Sequence, residues 1–348
     1  MNVLITGNMG YIGPTVVRHL QEQDPDTRVL GLDSGFFAHC LTGADTLPEH
    51  RIDVQHFADV RDFDPALLEG VDAIVHLAAI SNDPMGKAFE HVTAQVNHAA
   101  SVRLARLAKK AGVSRFVFAS SCSVYGYAEG AARDENSALN PLTAYAKSKI
   151  NTEHDIRELA DERFVITSLR FPTACGMSER LRLDLVLNDF VAAAVAERRI
   201  TILSDGTPWR PLIDIQDMAR AIEWAIGRDP GRGGAFLAVN VGRTEWNYQI
   251  KDLARAVQEE IPGVEVHINP QAQPDKRSYQ VDFGLYKALA PDHLPRVDLR
   301  QSIRELRDGL EAMGFNNTDF RNSDYMRLRV LSGLREKGLL DADLRWMG

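Results

Sequence analysis

Unbroken runs of apolar residues alternate with helix-period segments through the first half of the chain. The apolar runs predict strands, and apolar residues that recur every three or four positions predict the helices between them. The predicted strands cover residues 2–5, 28–33, 52–59, 73–79, 115–121 and 165–171, and two long helices cover residues 89–111 and 143–162. Apolar runs that do not alternate with polar residues are typical of parallel strands covered by helices on both faces. The pattern therefore predicts an α/β fold with a doubly wound parallel sheet.

The pattern changes after residue 176, where shorter elements are separated by charged loops. The predicted elements are helices through 196, at 217–226 and at 248–260, strands at 200–203, 238–242 and 264–268, and an arginine- and leucine-rich helical tail. We expect the helix at 217–226 and the strand at 238–242 to rejoin the main sheet. The predicted domains are residues 1–176, to which 209–243 return, and a smaller interleaved C-terminal α/β part for substrate binding, made of 177–208 and 244–348 with the tail.

A glycine-rich turn joins the first strand to a helix. Gly7 permits a tight turn, Gly10 lets the backbone approach a pyrophosphate, and Gly13 lets the helix pack close to the strand. The free N–H groups at the start of that helix suit phosphate charge. Asp33 ends the second strand about 20 residues later, where a carboxylate accepts hydrogen bonds from an adenosine ribose. Because no arginine directly follows Asp33, the sequence favours NAD over NADP.

Composition narrows the class of protein. The chain of 348 residues is 45% apolar and 25% charged, which is ordinary for a soluble globular protein. A net charge of −8 gives no basic footprint for nucleic acid. No apolar run approaches the roughly 20 residues needed to span a membrane, and the first strand begins too early for a cleaved signal peptide. Three sparse cysteines suit a reducing cytoplasm, and no Cys/His spacing indicates a metal site.

Two polar patches carry the candidate chemistry. Tyr145 and Lys149 are four residues apart near the start of a predicted helix, hence on one face. A lysine ammonium beside a phenol lowers the phenol's pKa and so makes a base that works near neutral pH. The second patch, residues 120–126, follows a strand at the edge where open parallel sheets bind ligands.

Together these stretches resemble the extended short-chain dehydrogenase/reductase family, the nucleotide-sugar epimerases and dehydratases. The resemblance runs from residue 2 to about residue 285. Its landmarks are the glycine turn, Asp33, Asp59-Val60, His76-Leu77-Ala78-Ala79, Asn97, Ser121, Val124-Tyr125-Gly126, Tyr145, Lys149, Arg170-Phe171 ahead of Gly176, and Arg210 ahead of Asp217.

The resemblance implies an NAD-binding Rossmann domain. Asp59 and Val60 would flank the adenine, Lys149 would hold the nicotinamide ribose, and Pro172 would touch the nicotinamide. The full set of implied cofactor residues is Gly7, Asn8, Met9, Gly10, Tyr11, Ile12, Gly13, Asp33, Asp59, Val60, Leu77, Ala78, Ala79, Asn97, Ser120, Tyr145, Lys149 and Pro172.

The resemblance also implies a catalytic set and a substrate site. Tyr145 would be the general base that takes a proton from a sugar hydroxyl at C4, while Ser121 would hydrogen-bond the same oxygen and shuttle its proton. The implied substrate residues are Ser81, Ser121, Cys122, Ser123, Tyr145, Thr173, Asn188, Arg210 and Arg277. Asn188 and Arg210 fall where the family contacts the nucleotide diphosphate; the alternative for Arg210 is a surface ion pair. Arg180 and Arg182 either point toward the substrate or belong to a solvated charged loop.

Departures from the family pattern restrict the reaction. Where dehydratases follow the catalytic hydroxyl with an Asp-Glu pair, this chain has Cys122-Ser123, which disfavours dehydration. The acid that decarboxylases carry in that stretch is also missing. We interpret Cys122 mainly as a packing residue. Many 4-epimerases have Phe-Asn where this chain has Pro172-Thr173, which leaves the sugar contact there open.

The first hypothesis is a nucleotide-sugar 4-epimerase that holds NAD⁺ tightly and has no net redox change. The runner-up is a 4-dehydrogenase or 4-ketoreductase on the same scaffold, which uses the same hydride chemistry. A silent dinucleotide-binding regulator is the third alternative, although such proteins usually lose the tyrosine or the lysine. By resemblance, the helices at 89–111 and 143–162 would form a homodimer through a four-helix bundle. Arg327, Arg329, Arg335 and Trp346 of the tail belong either to an interface or to internal packing.

Overall fold

The structure is a computed structural model that describes residues 1–128, 130–269, 272 and 278–348. Its strands are β1 (Asn2–Thr6), β2 (Arg28–Asp33), β3 (Val54–Phe57), β4 (Ala73–His76), β5 (Arg115–Ser121), β6 (Val165–Phe171), β7 (Thr173–Cys175), β8 (Arg199–Ile202), β9 (Trp209–Asp214), β10 (Phe236–Asn240), β11 (Asn247–Gln249) and β12 (Glu265–Ile268). Its α-helices are α1 (Gly13–Gln23), α2 (Asp83–Ala88), α3 (Glu90–Thr93), α4 (Ala100–Ala111), α5 (Ala144–Arg157), α6 (Val186–Glu197), α7 (Ile215–Gly227), α8 (Ile250–Glu260), α9 (Gly284–Leu289), α10 (Leu299–Ala312) and α11 (Arg327–Glu336).

Seven parallel strands form the central sheet in the order β10-β6-β5-β4-β1-β2-β3. The apolar runs are buried on both faces: Val3 and Ile5 of β1 belong to one hydrophobic cluster, and Leu4 belongs to the other. The predicted doubly wound α/β fold is therefore confirmed. The chain passes from β1 to β2 and β3 on one side of β1, and it then crosses to β4 on the other side. Because the strand order reverses at this point, a crevice opens between the carboxyl ends of β1 and β4.

The smaller part of the chain carries two short sheets. One has the order β11-β9-β7 and the other pairs β12 with β8. Of the stretch 209–243, the structure returns β10 to the edge of the main sheet beside β6. It places β9 in the small sheet instead, paired in parallel with β7 and antiparallel with β11. Residues 209–214 therefore lie in the small sheet, because β7 extends the chain beyond β6 and pairs with β9.

The two long predicted helices are both present, with different internal structure and bounds. The segment predicted as one helix at 89–111 is α3, a π-helical stretch at Ala94–Ala99, and α4. The segment predicted at 143–162 ends earlier, with α5 at Arg157. Asp161 accepts hydrogen bonds from the backbone N–H groups of Arg163 and Phe164, and this turn leads the chain into β6.

The C-terminal tail folds back onto the first domain. Leu331, Leu340 and Leu344 pack in one buried cluster with residues that follow β4, namely Ile80, Met85, Phe89 and Val92. Arg327 is buried, whereas Arg329 and Arg335 are exposed. The tail therefore covers the crevice side of the main sheet. Across the described ranges, none of the helices has the length and apolar character needed to cross a membrane.

Candidate active site and cofactor cleft

A deep cleft lies at the crevice between β1 and β4. It encloses a cavity of about 120 Å³. The cleft is lined by many of the cofactor residues predicted from the sequence, namely Gly7, Gly10, Tyr11, Ile12, Asp33, Asp59, Val60, Leu77, Ala78 and Ala79. The predicted substrate residue Ser81 also lines it. The structure thus brings residues from four strand ends into one site.

The glycine turn needs glycine for two different reasons. Gly7 has φ of +74°, and a Cβ there would lie 2.6 Å from the backbone N of Ala78. A Cβ on Gly13 would lie 1.9 Å from the carbonyl oxygen of Asn8, so α1 can approach the turn only without a side chain. Asn8 donates from Nδ2 to Gln55 Oε1 at 2.7 Å and thereby ties the turn to β3. The cleft itself is lined by Gly7, Gly10, Tyr11 and Ile12. The other predicted residues of the turn, Asn8, Met9 and Gly13, determine its shape.

Asp33 lies at the end of β2 facing the cleft. Its carboxylate accepts hydrogen bonds from the backbone N–H of Met9 at 3.0 Å and of Gly35 at 2.8 Å. Burial raises the pKa of Asp33, although these two N–H groups oppose the rise. The carboxylate is held in a fixed orientation, with the remaining acceptor capacity of its oxygens available to a ribose.

The residues after β3 form the next wall. Arg61 clasps the Asp59 carboxylate, with Nη2 2.6 Å from Oδ2 and Nε 3.0 Å from both oxygens. Burial acts to raise the pKa of Asp59, but the hydrogen bonds from Arg61 prevail and lower it. Val60 and Ala58 add apolar surface suited to the face of an adenine. Arg61 lines the cleft and is a residue that sequence reasoning missed.

The three predicted catalytic residues come from β5 and α5. Ser121 is the last residue of β5, and its Oγ accepts from the backbone N–H of Ser123 at 3.1 Å. Thr143 caps α5, accepting from the N–H of Ala146 at 3.1 Å, and so sets Tyr145 and Lys149 in the first turns. Ser121 interacts with the Tyr145 phenol through a side-chain hydrogen bond. The Lys149 Nζ lies 5.5 Å from the centroid of the Tyr145 ring.

The pKa of Tyr145 does not follow the prediction that Lys149 lowers it. Burial raises the pKa of Tyr145 to about 12, and the Asp83 carboxylate adds to the rise, while Ser121 and the Arg182 cation oppose it. Lys149 is itself buried, which lowers its own pKa to about 7 against the opposing charge of Glu153. An amine that is only partly protonated near neutral pH contributes little positive charge, so the cost of burying a phenolate dominates.

A buried network of polar side chains lies next to Lys149. Glu153, one turn further along α5, accepts from Ser120 Oγ at 2.5 Å and from Arg170 Nη2 at 2.6 Å and Nε at 3.0 Å. Arg170 also donates to the Tyr125 hydroxyl at 3.1 Å. Lys149 donates to the Ala119 carbonyl at 2.6 Å. The structure therefore places Ser120, predicted as a cofactor residue, within this scaffold.

Asn97 also has a supporting position. Its side-chain amide accepts from the N–H of Ile80 at 2.7 Å and donates to the carbonyl of the same residue at 3.0 Å. It further donates to Ser148 Oγ at 3.2 Å. Asn97 thus fixes the chain after β4, including Leu77, Ala78 and Ala79 at the cleft, and reaches the cofactor only through that backbone.

The loop 178–184 is buried, which corrects the alternative of a solvated charged loop. Arg180 donates to both oxygens of Glu49 at 2.8 Å and is fully enclosed. Arg182 pairs with Asp184, with Nε 2.8 Å from Oδ1, and donates to Ser81 Oγ at 2.8 Å. Arg182 lines the cleft and lies close enough to the Tyr145 phenol to lower its pKa.

Asn188 has a scaffold position instead of the predicted substrate contact. It is 0% exposed, its Oδ1 accepts from the N–H of Gly176 at 3.2 Å, and its Nδ2 donates to the Tyr11 hydroxyl at 3.1 Å and the Arg182 carbonyl at 2.9 Å. The amide joins the substrate-side loop to the glycine turn. Because burial and these bonds occupy it, Asn188 has no surface to offer a diphosphate in this structure.

The other predicted substrate residues have mixed positions. Cys122 is buried and donates from Sγ to the Arg170 carbonyl at 3.1 Å, in keeping with packing. Ser123 Oγ is enclosed without a hydrogen-bond partner among the described residues. Thr173 is half-buried, and Pro172 before it is buried. Arg210 on β9 lies over the Tyr279 ring, 5.9 Å from its centroid. Arg277 lies outside the described residues.

The cleft has walls that no local sequence pattern revealed. Phe36 and Phe37 follow β2, and Arg327, Leu331 and Leu344 come from the tail. The sequence contains no local pattern that predicts this position of the tail, because the contacts of the tail join residues some 300 positions apart. Nor does any group of acidic, histidine or cysteine side chains in the described part of the chain have the arrangement of a metal site.

The comparisons with known proteins agree with this geometry. Residues 3–242 match the model of the NAD dependent epimerase/dehydratase family. A Bacillus subtilis protein, described as an uncharacterized UDP-glucose epimerase, is 32% identical over 256 residues, which cover 70% of this chain and 78% of that protein. A UDP-glucose 4-epimerase of Streptomyces lividans is 27% identical over 270 residues, which cover 73% of this chain and 79% of that enzyme.

A solved structure extends the similarity to the whole fold. The UDP-glucose 4-epimerase of Stenotrophomonas maltophila, determined with bound NAD and formylated UDP-arabinopyranose, superimposes with a TM-score of 0.77 at 26% identity. The match covers 90% of this chain and 99% of that one. The glycine turn, the fixed Asp33 carboxylate and the apolar wall at Val60 fit the phosphates, ribose and adenine of NAD. The chain belongs to the NAD dependent epimerase/dehydratase family.

Proposed function

We propose that the protein is a nucleotide-sugar 4-epimerase that works by transient oxidation at C4 of the sugar. Two relatives described as UDP-glucose 4-epimerases support this reaction class. The observation that carries the proposal is the set of Ser121, Tyr145 and Lys149 at the carboxyl edge of the sheet, without an acid at 122–126. A dehydratase needs a group there to assist elimination of water, whereas Cys122 is buried against the Arg170 carbonyl.

In the proposed mechanism, Tyr145 and Ser121 move the proton and Lys149 positions the cofactor. Tyr145 takes the proton of the C4 hydroxyl, and Ser121, hydrogen-bonded to the phenol, holds the same sugar oxygen and relays the proton. NAD⁺, when bound, would accept the hydride from C4, and its nicotinamide cation would add positive charge. Lys149 orients the nicotinamide ribose, held by its bond to the Ala119 carbonyl. The C4 ketone would then turn over in the pocket, the hydride would return to the other face of C4, and Ser121 and Tyr145 would give the proton back to the oxygen, which yields the C4 epimer.

The pKa of Tyr145 explains why added positive charge matters. With a pKa of about 12 the phenol is protonated at neutral pH, so Tyr145 can act as the base only after added positive charge has lowered that pKa. Arg182, which already lowers this pKa, and a protonated Lys149 favour the phenolate further as the proton leaves the sugar. We therefore expect activity to need the protonated form of Lys149 and to fall as pH rises through the pKa of that amine.

The substrate side offers groups for a nucleotide diphosphate sugar. We propose that Arg210 holds the diphosphate, because a guanidinium presents forked donors that suit that anion and Tyr279 supports this one. The enclosed Ser123 hydroxyl, without a partner among the described residues, would bind a sugar hydroxyl together with Ser81 and Thr173.

We further propose a homodimer in the cytoplasm. The outward faces of α4 and α5 lie side by side, and the exposed residues of α5 are Lys147, Asn151, His154 and Arg157. Such a polar interface predicts a salt-dependent dimer. A monomer mass in solution scattering would refute it. The three cysteines are free and buried, as suits a reducing compartment.

Proton NMR of the purified protein with UDP-, GDP-, dTDP- and CDP-hexoses tests the proposal, with absorbance at 340 nm recorded alongside. We expect conversion of one substrate to its C4 epimer with flat absorbance and no added NAD⁺. Loss of substrate with stoichiometric NADH would overturn the epimerase in favour of a 4-dehydrogenase. Tyr145→Phe should lose about 10²–10⁴-fold in rate while its NAD content stays unchanged. Full activity of that variant would refute the assigned base.

A further inference from the structure

The C-terminal cap, defined here as residues 316–348, forms one wall of the cofactor cleft. It lies outside residues 3–242, which the family model matches. Leu331 and Leu344 of the cap are fully buried and face the cleft together with Phe36 and Phe37. The cap also packs on Ile80, Met85, Phe89 and Val92, which follow the strand at the other side of the crevice. The cap therefore spans the cleft from one side to the other.

The end of the cap is fastened to both loops that flank the adenosine side. Trp346 donates from Nε1 to the Ser34 carbonyl at 2.6 Å, and its ring lies 5.7 Å from that of Phe36. Arg61, which clasps Asp59, donates from Nη1 to the Asp343 carbonyl at 2.8 Å. Ser34 follows Asp33, the ribose-facing carboxylate. The loops after β2 and β3, which form the adenosine side of the cleft, thus also hold the end of the cap in place.

Arg327 brings a buried positive charge to the cleft. It is 1% exposed, and its guanidinium donates to the carbonyl oxygens of Asp324 at 3.0 Å and of Arg180 at 2.8 Å. Among the described residues, its Nε has no hydrogen-bond acceptor, and no carboxylate lies within ion-pair distance of the guanidinium. Burial lowers the pKa of Arg327 to about 10, and Arg182 and Arg180 act in the same direction, while Cys40 and the Asp184 carboxylate oppose the shift. The guanidinium also lies over the Phe37 ring, 4.9 Å from its centroid. A buried charge without an opposite charge is costly.

The other two charged arginines of this wall already have partners. Arg61 is paired with Asp59, and Arg182 is paired with Asp184. Arg327 alone among these three lacks an anion, and it lines the same cleft as the glycine turn, where the start of α1 receives phosphate. The ligand that would balance it is therefore the anionic part of the dinucleotide.

We infer that the C-terminal cap retains NAD in its cleft through repeated turnovers, with Arg327 as a binding residue for the cofactor's phosphates and Trp346 as the latch. Retention suits a reaction without net redox change, because the same cofactor molecule must take up and return each hydride. The inference rests on the family's cofactor and not on the choice of sugar or reaction, so it is tested by cofactor binding alone.

The first experiment measures release of bound NAD from the full-length protein. Purified wild type, Arg327→Ala, Trp346→Ala and Arg329→Ala are compared by exchange of bound NAD against excess radiolabelled NAD⁺. Arg329 lies on the same helix and is exposed, so Arg329→Ala is the matched control. We expect release to accelerate about tenfold or more in Arg327→Ala, the change that loss of one hydrogen bond to a charged group produces. Trp346→Ala loses a hydrogen bond between two neutral groups, so we expect release to accelerate about fivefold in that variant and to stay at the wild-type rate in the control.

The second experiment isolates the phosphate contact. NAD-stripped wild type and Arg327→Ala are titrated calorimetrically with ADP and with adenosine. We expect Arg327→Ala to weaken ADP about tenfold and to leave adenosine unchanged. Equal losses for both ligands would overturn the phosphate contact. Wild-type NAD release in a folded Trp346→Ala would overturn the latch, and its surface position keeps this variant informative if Arg327→Ala fails to fold.

Discussion

The buried ion pair of Glu153 and Arg170 lies beneath Lys149, and its loss should destabilise the fold strongly. Both side chains are only 5% exposed, and Glu153 receives hydrogen bonds from Ser120 and from two nitrogens of Arg170. Glu153→Gln keeps the size and one acceptor oxygen but removes the charge. Its new amide N–H₂ would face the Arg170 Nη2, now 2.6 Å from a carboxylate oxygen, so that two donors meet.

The expected destabilisation follows from what remains buried. Removing one partner of a buried ion pair leaves an uncompensated cation and costs about 3–5 kcal/mol. The variant also lowers the pKa of Lys149 further, because Glu153 is the charge that opposes the effect of burial on that amine. We therefore expect a lower free energy of unfolding and a loss of activity that begins at lower pH than in the wild type.

Urea unfolding followed by tryptophan fluorescence at saturating NAD⁺ measures the stability of Glu153→Gln. Glu259→Gln is the matched control, because Glu259 pairs with Arg300 at 2.6 Å but both side chains are more than half exposed. Exposed pairs contribute little, so the control midpoint should stay close to that of the wild type. Equal midpoints for the two variants would refute the argument from burial.

Three further predictions address the turn, the lysine and the carboxylate of the cofactor cleft. Gly7→Ala should lose NAD binding in calorimetry because its Cβ would meet the N of Ala78, whereas Gly70→Ala, at nearly the same φ of +73° but in open space, should bind normally; equal binding would contradict the steric argument. Burial lowers the pKa of Lys149 to about 7, so the unfolded state binds more protons between pH 7 and about 10.4. Stability of the wild type relative to Lys149→Met should therefore rise with pH across that window, on the order of 1.4 kcal/mol per pKa unit, and a flat difference in denaturation midpoints would refute the shift. NAD-stripped protein should bind NAD more tightly than NADP, and Asp33→Ala should narrow that preference; an unchanged preference would remove Asp33 from cofactor choice.

The parts of the site that were predictable are those built from residues close together in sequence. The glycine turn and Asp33 form a local strand–turn–helix unit, and their residue types alone indicate a phosphate and a ribose. The apolar runs likewise predicted the main sheet, because a strand that is buried on both faces is apolar at nearly every position and is therefore easy to recognise in the sequence. Element bounds were less reliable, as the early end of α5 and the division of the helix predicted at 89–111 illustrate.

Burial and long-range contacts account for what the sequence did not reveal. The spacing of Tyr145 and Lys149 was visible, but the direction of the pKa of Tyr145 depends on how much water both groups lose in the fold. For Arg180 the sequence left open a substrate contact or a solvated loop, because its partner Glu49 lies 131 positions away in the chain. The cap is the extreme case, since Trp346 reaches Ser34 across 312 positions and no local pattern encodes that contact.

The fate of the hydrogen at C4 tests the central claim most directly. The enzyme is incubated with the nucleotide hexose that the NMR panel identifies, deuterated at C4, and the product is examined by mass spectrometry and NMR. The mechanism predicts that the C4 epimer keeps its deuterium at C4, with no exchange into solvent and no net NADH. Loss of the C4 deuterium to solvent, or deuterium recovered in released NADH, would contradict hydride return within one closed site.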